Sequence, residues 1–303
     1  MSVHAAARPA HVDADPKFSF DRHDFKRVQA LIYRQAGISL NEGKLSMVYS
    51  RLSRRLRVLG KYDFKAYLDA LEAAPADDAE WQEFINALTT NLTSYFREAH
   101  HFPILQEHLK RVSAQQPLRI WCCAASTGEE PYSLAMTAMQ AFDSLNPPVT
   151  IFATDIDTSV LATARAGVYR AETVEKLDPA LLKRYFMRGT GSKSGSVRVR
   201  PELQSLVDFQ PLNLLDDGWS FQTRFHAVFC RNVMIYFDKP TQHGVLGRLA
   251  RHMTPDGLLF AGHSENFSFA REHFEMEGRT VYRVSRAGDA SGPRVPADKK
   301  RVS

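Results

Sequence analysis

The strongest constraint on the fold is a change of pattern at Arg119. Beyond it, short apolar runs rich in β-branched and aromatic residues alternate with stretches of helical periodicity. The runs are RIWCCAA (119–125), TIFATDID (150–157), AVFCRNVMIYF (227–237), GLLFAGH (257–263) and TVYRV (280–284). Between them, Tyr132–Phe142, Val160–Gly167 and Gln242–Met253 read as helices. A parallel crossover needs a helix-length connection, so this alternation predicts a mostly parallel sheet covered by helices. A doubly wound α/β domain is expected over residues 90–285.

One segment breaks the rhythm. RGTGSKSGSVRVRPELQSLVDFQ (188–210) has a Gly-rich turn and two alternating runs, Val197–Arg200 and Leu206–Phe209. It predicts a small inserted antiparallel β-subdomain, too short to be stable alone and so leaning on the main domain. Ahead of the sheet, residues 18–89 carry no strand signal. Asp21, Asp63 and Asp78 are placed to cap helices, and Gly37 and Gly60 to end them. An all-helical N-terminal domain follows. Residues 1–17 and 286–303 read as disordered tails.

Composition narrows the class. A chain of 303 residues gives one large or two modest domains. No apolar run approaches the roughly 18 residues of a membrane span, and the first residues lack a secretory h-region. Cys122, Cys123 and Cys230 all sit in strand-like runs, an arrangement expected of reduced, buried thiols in a cytoplasmic protein. With no HExxH or paired CxxC, no metal is expected.

In a doubly wound sheet, ligands bind at the carboxyl ends of the strands. The first strand runs into Ser126-Thr127-Gly128-Glu129-Glu130-Pro131, and the second ends at Asp155. An acidic residue there is placed to accept both hydroxyls of a ribose. The GxGxxG turn that admits a pyrophosphate is missing, and two glutamates follow the single glycine. Such a turn suits a ligand with a ribose, an ammonium and no phosphate, and S-adenosylmethionine is one. The plainer alternative is a surface loop with acidic residues at a helix N-terminus.

Six segments then carry a resemblance. TTNLTSYFREAHHFPIL (89–105), ASTGEEPYSLA (125–135), ATDID (153–157), YFMRGTG (185–191), FCRNVMIYFDK (229–239) and PDGLLFAGHSENF (255–267) resemble, in order, the chemotaxis-receptor methyltransferases of the CheR family. The resemblance implies a class I S-adenosylmethionine-dependent methyltransferase that esterifies glutamate side chains of chemoreceptors. It further implies that Asn91, Thr93 and Arg97 reach the cofactor, that Glu130 takes its ammonium and that Asp155 takes its ribose. Asn213 and Leu214 would border the adenine, and Arg231 and Asn232 would close the site. Each has a plainer alternative: Asn91 as a cap for a helix carrying Tyr95 and Phe96, Arg97 in a surface ion pair, Asn232 satisfying a strand end.

The chemistry asks for little machinery. A glutamate side chain is already ionised at neutral pH, so no general base is needed to make it nucleophilic. Arg97 and Tyr236 are expected nearest the transferring methyl, with Tyr236 equally readable as core.

Between Asn41 and Gly60, Lys44, Arg51, Arg54, Arg55 and Arg57 stand against Glu42 alone, a net +4 of the chain's formal +5. At about 100° per residue they fall opposite the apolar stripe Leu45, Val48, Leu52 and Leu56. That face is either simply solvated or, as the resemblance implies, set against the acidic helical region of a receptor. Gly189, Gly191, Gly195 and Arg198 are the candidates for docking a receptor C-terminal peptide on an open edge of the insert, the alternative being a flap over the cofactor. A monomer is expected. A nucleic-acid methyltransferase is the main rival, but there is no Pro-Cys pair for C5 chemistry. Asn146-Pro147-Pro148 precedes the second strand instead of following the fourth. A non-catalytic cofactor-binding adaptor is the third reading.

Overall fold

The structure, a computed structural model, describes residues 18–285, so both expected tails lie outside the described residues. Four helices form the N-terminal part: α1 (Arg22–Ala36), α2 (Leu45–Val58), α3 (Phe64–Ala73) and α4 (Ala79–Leu88). Their starts are set chemically. Asp21 and Asp24 exchange side-chain-to-backbone hydrogen bonds of 2.9 and 3.2 Å in a capping box. Asp63 and Asp78 each accept from a backbone N–H two residues on. Gly37 ends α1 at φ 67°, the left-handed region that glycine enters without penalty. Phe25, Val28, Leu52, Phe64, Leu68 and Phe84 are fully buried between the helices.

The basic face of α2 differs from its sequence reading. Arg51 turns inward and donates to the carbonyls of Leu88 (3.0 Å) and Thr89 (2.6 Å), the last groups of α4. Arg55 pairs with Glu80 and lies 3.3 Å from Glu83. A helical wheel assigns a residue by its Cα, whereas a long side chain reaches sideways to a neighbour. Arg54 and Arg57 remain exposed, with Arg57 lying over the Phe18 ring.

After α5 (His101–Arg111) the chain enters the sheet. The elements in order are β1 (Leu118–Cys122), α6 (Glu129–Phe142), β2 (Val149–Asp155), α7 (Thr158–Ala166), β3 (Val168–Arg170), α8 (Pro179–Tyr185), β4 (Phe186–Arg188), β5 (Ser196–Val199), α9 (Pro201–Gln204), β6 (Val207–Pro211), β7 (Phe225–Cys230), α10 (Lys239–Arg251), β8 (Met253–Ala261), β9 (Phe274–Gly278) and β10 (Val281–Val284). The seven-stranded sheet has the order β6-β2-β1-β7-β8-β10-β9. β6, β2, β1, β7 and β8 run parallel, and β10 pairs antiparallel with both β8 and β9, so β9 at the edge points the same way as the parallel strands. The chain moves outward from β1 to β2 and β6, then crosses back to β7. The strand order therefore reverses between β1 and β7, where such a sheet opens a ligand crevice.

The inserted subdomain is a three-stranded antiparallel sheet, β3-β5-β4, drawn from residues 168–199. Of the two runs expected to form it, only Val197–Arg200 belongs there, as β5. The second is β6, which pairs parallel with β2. β6 is an edge strand with Phe209 inward and its neighbours outward, and that one-sided burial imitates the alternation of an antiparallel ribbon. Arg198 lies on the central strand, opposite Val168 and Met187, and the outer edges of the small sheet belong to β3 and β4. Gly191 (φ 58°) and Gly195 (φ 81°) shape the β4–β5 connection, and a Cβ at Gly189 would meet the Lys193 carbonyl.

The engaged and exposed arginines of α2 separate in an unfolding experiment. Arg55→Ala should cost about 1–2 kcal/mol in urea, since it strips Glu80 and Glu83 of a half-buried partner. Arg54→Ala should stay within about 0.5 kcal/mol of the parent.

Candidate functional site

The segment joining the two parts, residues 89–100, is not helical. It crosses the carboxyl ends of the central strands and is pinned from both sides. Asn91 Nδ2 donates to Asp157 Oδ2 (2.7 Å), and the Thr89 hydroxyl reaches the same oxygen at 2.6 Å. Asn91 therefore caps no helix and instead ties the segment to the start of α7, whose N-cap is Asp157. The Ser126 hydroxyl donates to the Asn91 carbonyl (3.0 Å), and Phe96 N–H donates to Ser133 Oγ (3.0 Å).

Under that segment lies a cavity. Asn91, Thr93, Arg97, Glu130, Asp155, Asn213, Leu214, Arg231, Asn232 and Tyr236 all line it. The sequence scattered these candidates over about half of the chain, and the fold brings all ten to one place. Tyr236 lines the cavity and also packs against the helical core. Lys44 also lines the cavity, while Arg51, Arg54, Arg55, Arg57 and the residues of the insert do not.

The turn after β1 is built by close contact. Gly128 has φ 101°, and a Cβ there would meet Tyr169 Oη at 2.7 Å and Ala164 Cβ at 3.0 Å. Tyr169, from the inserted sheet, donates its hydroxyl proton to the Thr127 carbonyl (2.7 Å) and so braces the turn. Asp155, at the end of β2, accepts from Ser126 N–H (2.8 Å) and Asp157 N–H (2.9 Å). Burial still pushes its carboxyl up to about 6, the backbone donors opposing the shift.

Beside it, Arg231 is buried between two carboxylates. Its guanidinium lies 2.8 Å from Glu130 and 3.5 Å from Glu98, donates to the carbonyl of Arg97 and sits over the Phe229 ring. Arg231 thus stands against two acids, with His263 also on Glu98 and Arg97 acting on Glu130. Burial raises the Glu130 pKa, with Arg231 opposing. Burial also acts to raise Glu98, but hydrogen bonds from His263 and the nearby Arg231 bring it net below the ordinary range. Arg231 Nε is buried and finds no hydrogen-bond partner among the described residues. Phe96 (φ 51°) and Glu98 (φ 55°) flank Arg97 in the left-handed region, a strained backbone on either side of a residue expected near the methyl.

Asn213 and Asn232 have structural partners as well. Asn213 donates to the Gln35 carbonyl at the end of α1 (2.8 Å), joining the cavity wall to the helical domain. Asn232 (φ 56°) sits in a turn whose backbone N–H groups, with that of Gly262, converge on Glu265 at 2.6–3.0 Å.

Comparison with known proteins is decisive for the family. Residues 23–89 match the CheR methyltransferase, all-alpha domain family, and residues 91–283 match the CheR methyltransferase, SAM binding domain family. The chain belongs to the CheR family. It is a methyltransferase with an S-adenosylmethionine-binding domain, and the sheet order above is its class I fold. The chemotaxis protein methyltransferase of Escherichia coli (strain K12) is 54% identical over 266 residues, covering 88% of this chain and 92% of that protein. Chemotaxis protein methyltransferase 2 of Pseudomonas aeruginosa is 51% identical over 275 residues, covering 90% and 97%. A solved structure, the CcbJ methyltransferase from Streptomyces caelestis, aligns over 52% of this chain and 51% of its own, at 14% identity and a TM-score of 0.32. That likeness is too loose to bear on the site.

Sequence reasoning passed over Glu98, Glu265 and Tyr169. Glu98 follows Arg97 directly, but its partners Arg231 and His263 are far along the chain, and no local pattern marks it.

The raised Asp155 pKa carries a pH consequence for the unliganded protein. A carboxyl with a higher pKa folded than unfolded makes the folded state bind the extra proton, so stability falls as pH rises from about 4 through about 6. Comparing wild type with Asp155→Asn by urea unfolding should show wild type losing roughly 2–3 kcal/mol relative to the variant across that window. Parallel curves would mean that Asp155 titrates normally.

Proposed function

We propose that the chain transfers the methyl group of S-adenosylmethionine to glutamate side chains in the cytoplasmic helical region of chemotaxis receptors, forming methyl esters, and that it acts as a cytoplasmic monomer. The observation that carries this reading is the pair of buried carboxylates, Glu130 and Asp155, on one cavity at the point where the strand order reverses. A buried carboxylate is costly unless a cation or donor meets it. S-adenosylmethionine supplies an ammonium, a sulfonium and a ribose diol, together with a carboxylate of its own. In this reading Asp155 holds the ribose, Glu130 takes the ammonium, and Asn213 and Leu214 border the adenine. Asn91, Thr93 and Asn232 hold the cavity's rim. Arg231 Nε, without a partner among the described residues, suits the ligand's carboxylate.

When bound, the cofactor supplies a methyl on a positively charged sulfur. The chain's own task is to strip water from an ionised glutamate, align one oxygen behind the methyl and accommodate the loss of opposite charges. Arg97 is placed to orient that acceptor carboxylate, its guanidinium held by the Leu92 carbonyl at 2.9 Å. Tyr236 lines the same cavity. None of these steps needs a metal or a general base.

For the receptor, the exposed charge of α2 includes Arg54 and Arg57, with Lys44 at the cavity. The outer edges of β3 and β4 offer backbone groups to an added receptor-tail strand, with Arg198 on the exposed face between them. Tyr169 ties the same sheet to the cofactor turn, which favours a bracing role beside the docking one.

One assay tests the reading against nucleic-acid methylation and against a non-catalytic adaptor. Incubated with radiolabelled S-adenosylmethionine and receptor membranes, the protein should leave label that alkali releases as volatile methanol; incubated with RNA, it should leave none. Asp155→Ala should weaken cofactor binding by about 1.5–3 kcal/mol. Reversing Arg54 and Arg57 to Glu should slow receptor labelling, with the wild-type rate falling as salt rises. Alkali-stable label, or label on RNA alone, would overturn the proposal.

A further inference from the structure

A second group of ligating side chains lies outside the cavity. His243 is on the outer face of α10, and Glu272 and His273 precede β9. One donor atom from each of the three lies within 4.8 Å of the other two. Glu272 Oε1 contacts His243 Nε2 directly and lies 3.9 Å from His273 Nε2, and the two imidazole centroids are 5.2 Å apart. None of the three lines the cofactor cavity.

Two further features hold the arrangement. One turn beyond His243, α10 has Gly247, where a Cβ would meet His273 Nε2 at 2.9 Å and Cε1 at 3.3 Å. Mid-helix glycine weakens a helix relative to alanine. Here it leaves the gap in which the His273 ring rests beside His243. The backbone of His273 is fixed as well. Its N–H and that of Phe274 both donate to the Ala270 carbonyl (3.0 Å each), and its own carbonyl accepts from Ser285 N–H (2.9 Å). Donors carried on a helix and on a pinned turn keep their relation without a loop having to order.

We propose that His243, Glu272 and His273 form a binding site for a divalent first-row transition metal, Zn2+ being the reference ion, that staples α10 to the turn before β9. Two imidazoles and a carboxylate suit Zn2+, Ni2+ or Cu2+ and not the all-oxygen preference of Mg2+ or Ca2+. The sequence gives no sign of the site because its ligands are 29–30 positions apart and follow none of the short metal motifs. The site is independent of methyl transfer, so its test stands apart from the proposed reaction.

The experiment uses the full chain, titrated with Zn2+ by calorimetry and with Co2+ by visible absorption. Wild type should bind one Zn2+ that His243→Ala and His273→Ala each remove, and Co2+ should give the d–d bands of a low-coordinate site. Zn2+ at about 100 times its Kd should raise the melting temperature by roughly 5 °C, and the His243→Ala/His273→Ala protein should lose that rise. His243 and Glu272 are exposed, so His243→Ala and Glu272→Gln leave the core untouched and remain informative should His273→Ala misfold. Mg2+ should do nothing. No binding at about 100 µM Zn2+, or the same stoichiometry in wild type and His243→Ala, would overturn the proposal.

Discussion

A single buried guanidinium holds the site together. Arg231 leaves the end of β7 and meets Glu130 from the first turn of α6, Glu98 from the interdomain segment and the backbone carbonyl of Arg97. Three stretches remote in sequence thus share one charge. A buried ion cluster of this kind is weak evidence of stability, because desolvation offsets most of the attraction. Its value lies in geometry. It locks the interdomain segment over the strand ends and fixes Glu130 at the cavity wall. The strained backbone at Phe96 and Glu98 persists because these contacts over-determine it.

The rest of the architecture serves the same segment. Asp157 and Ser126 grip Asn91 from the sheet side, and Asn213 reaches across to α1. Tyr169 brings the inserted sheet to the turn after β1, and its ring contacts Tyr95 of the interdomain segment. The helical domain and the main sheet therefore meet at one cavity, and the insert braces the turn after β1, where a Cβ at Gly128 would meet Tyr169 Oη.

Much of this was legible in the sequence, for physical reasons that also explain the gaps. The α/β alternation and the helix caps are local signals, and they located α1 to α4, α6, α7 and α10 and the strands β1, β2, β7, β8 and β10, but not α5, α8, α9 or β9. Asp155 and Glu130 were readable because strand ends and helix starts are where such sheets bind ligands. β6 was misassigned since an edge strand alternates like a ribbon, and β3 and β4, three residues each, are too short to announce themselves. Arg51 and Arg55 looked solvated because periodicity fixes a face but not the reach of a long side chain. Glu98 was invisible because its meaning depends on His263, 165 residues away.

The central claim is that Glu98 and Glu130 together hold Arg231 in the geometry that the proposed cofactor site requires. Calorimetric titration of Glu98→Gln with S-adenosylmethionine tests it most directly, because the substitution keeps the side chain's size while removing the charge. The account predicts a folded protein whose affinity falls by about 10–100-fold, on the scale of a lost charge-assisted contact. A folded Glu98→Gln that binds S-adenosylmethionine as tightly as wild type would contradict it.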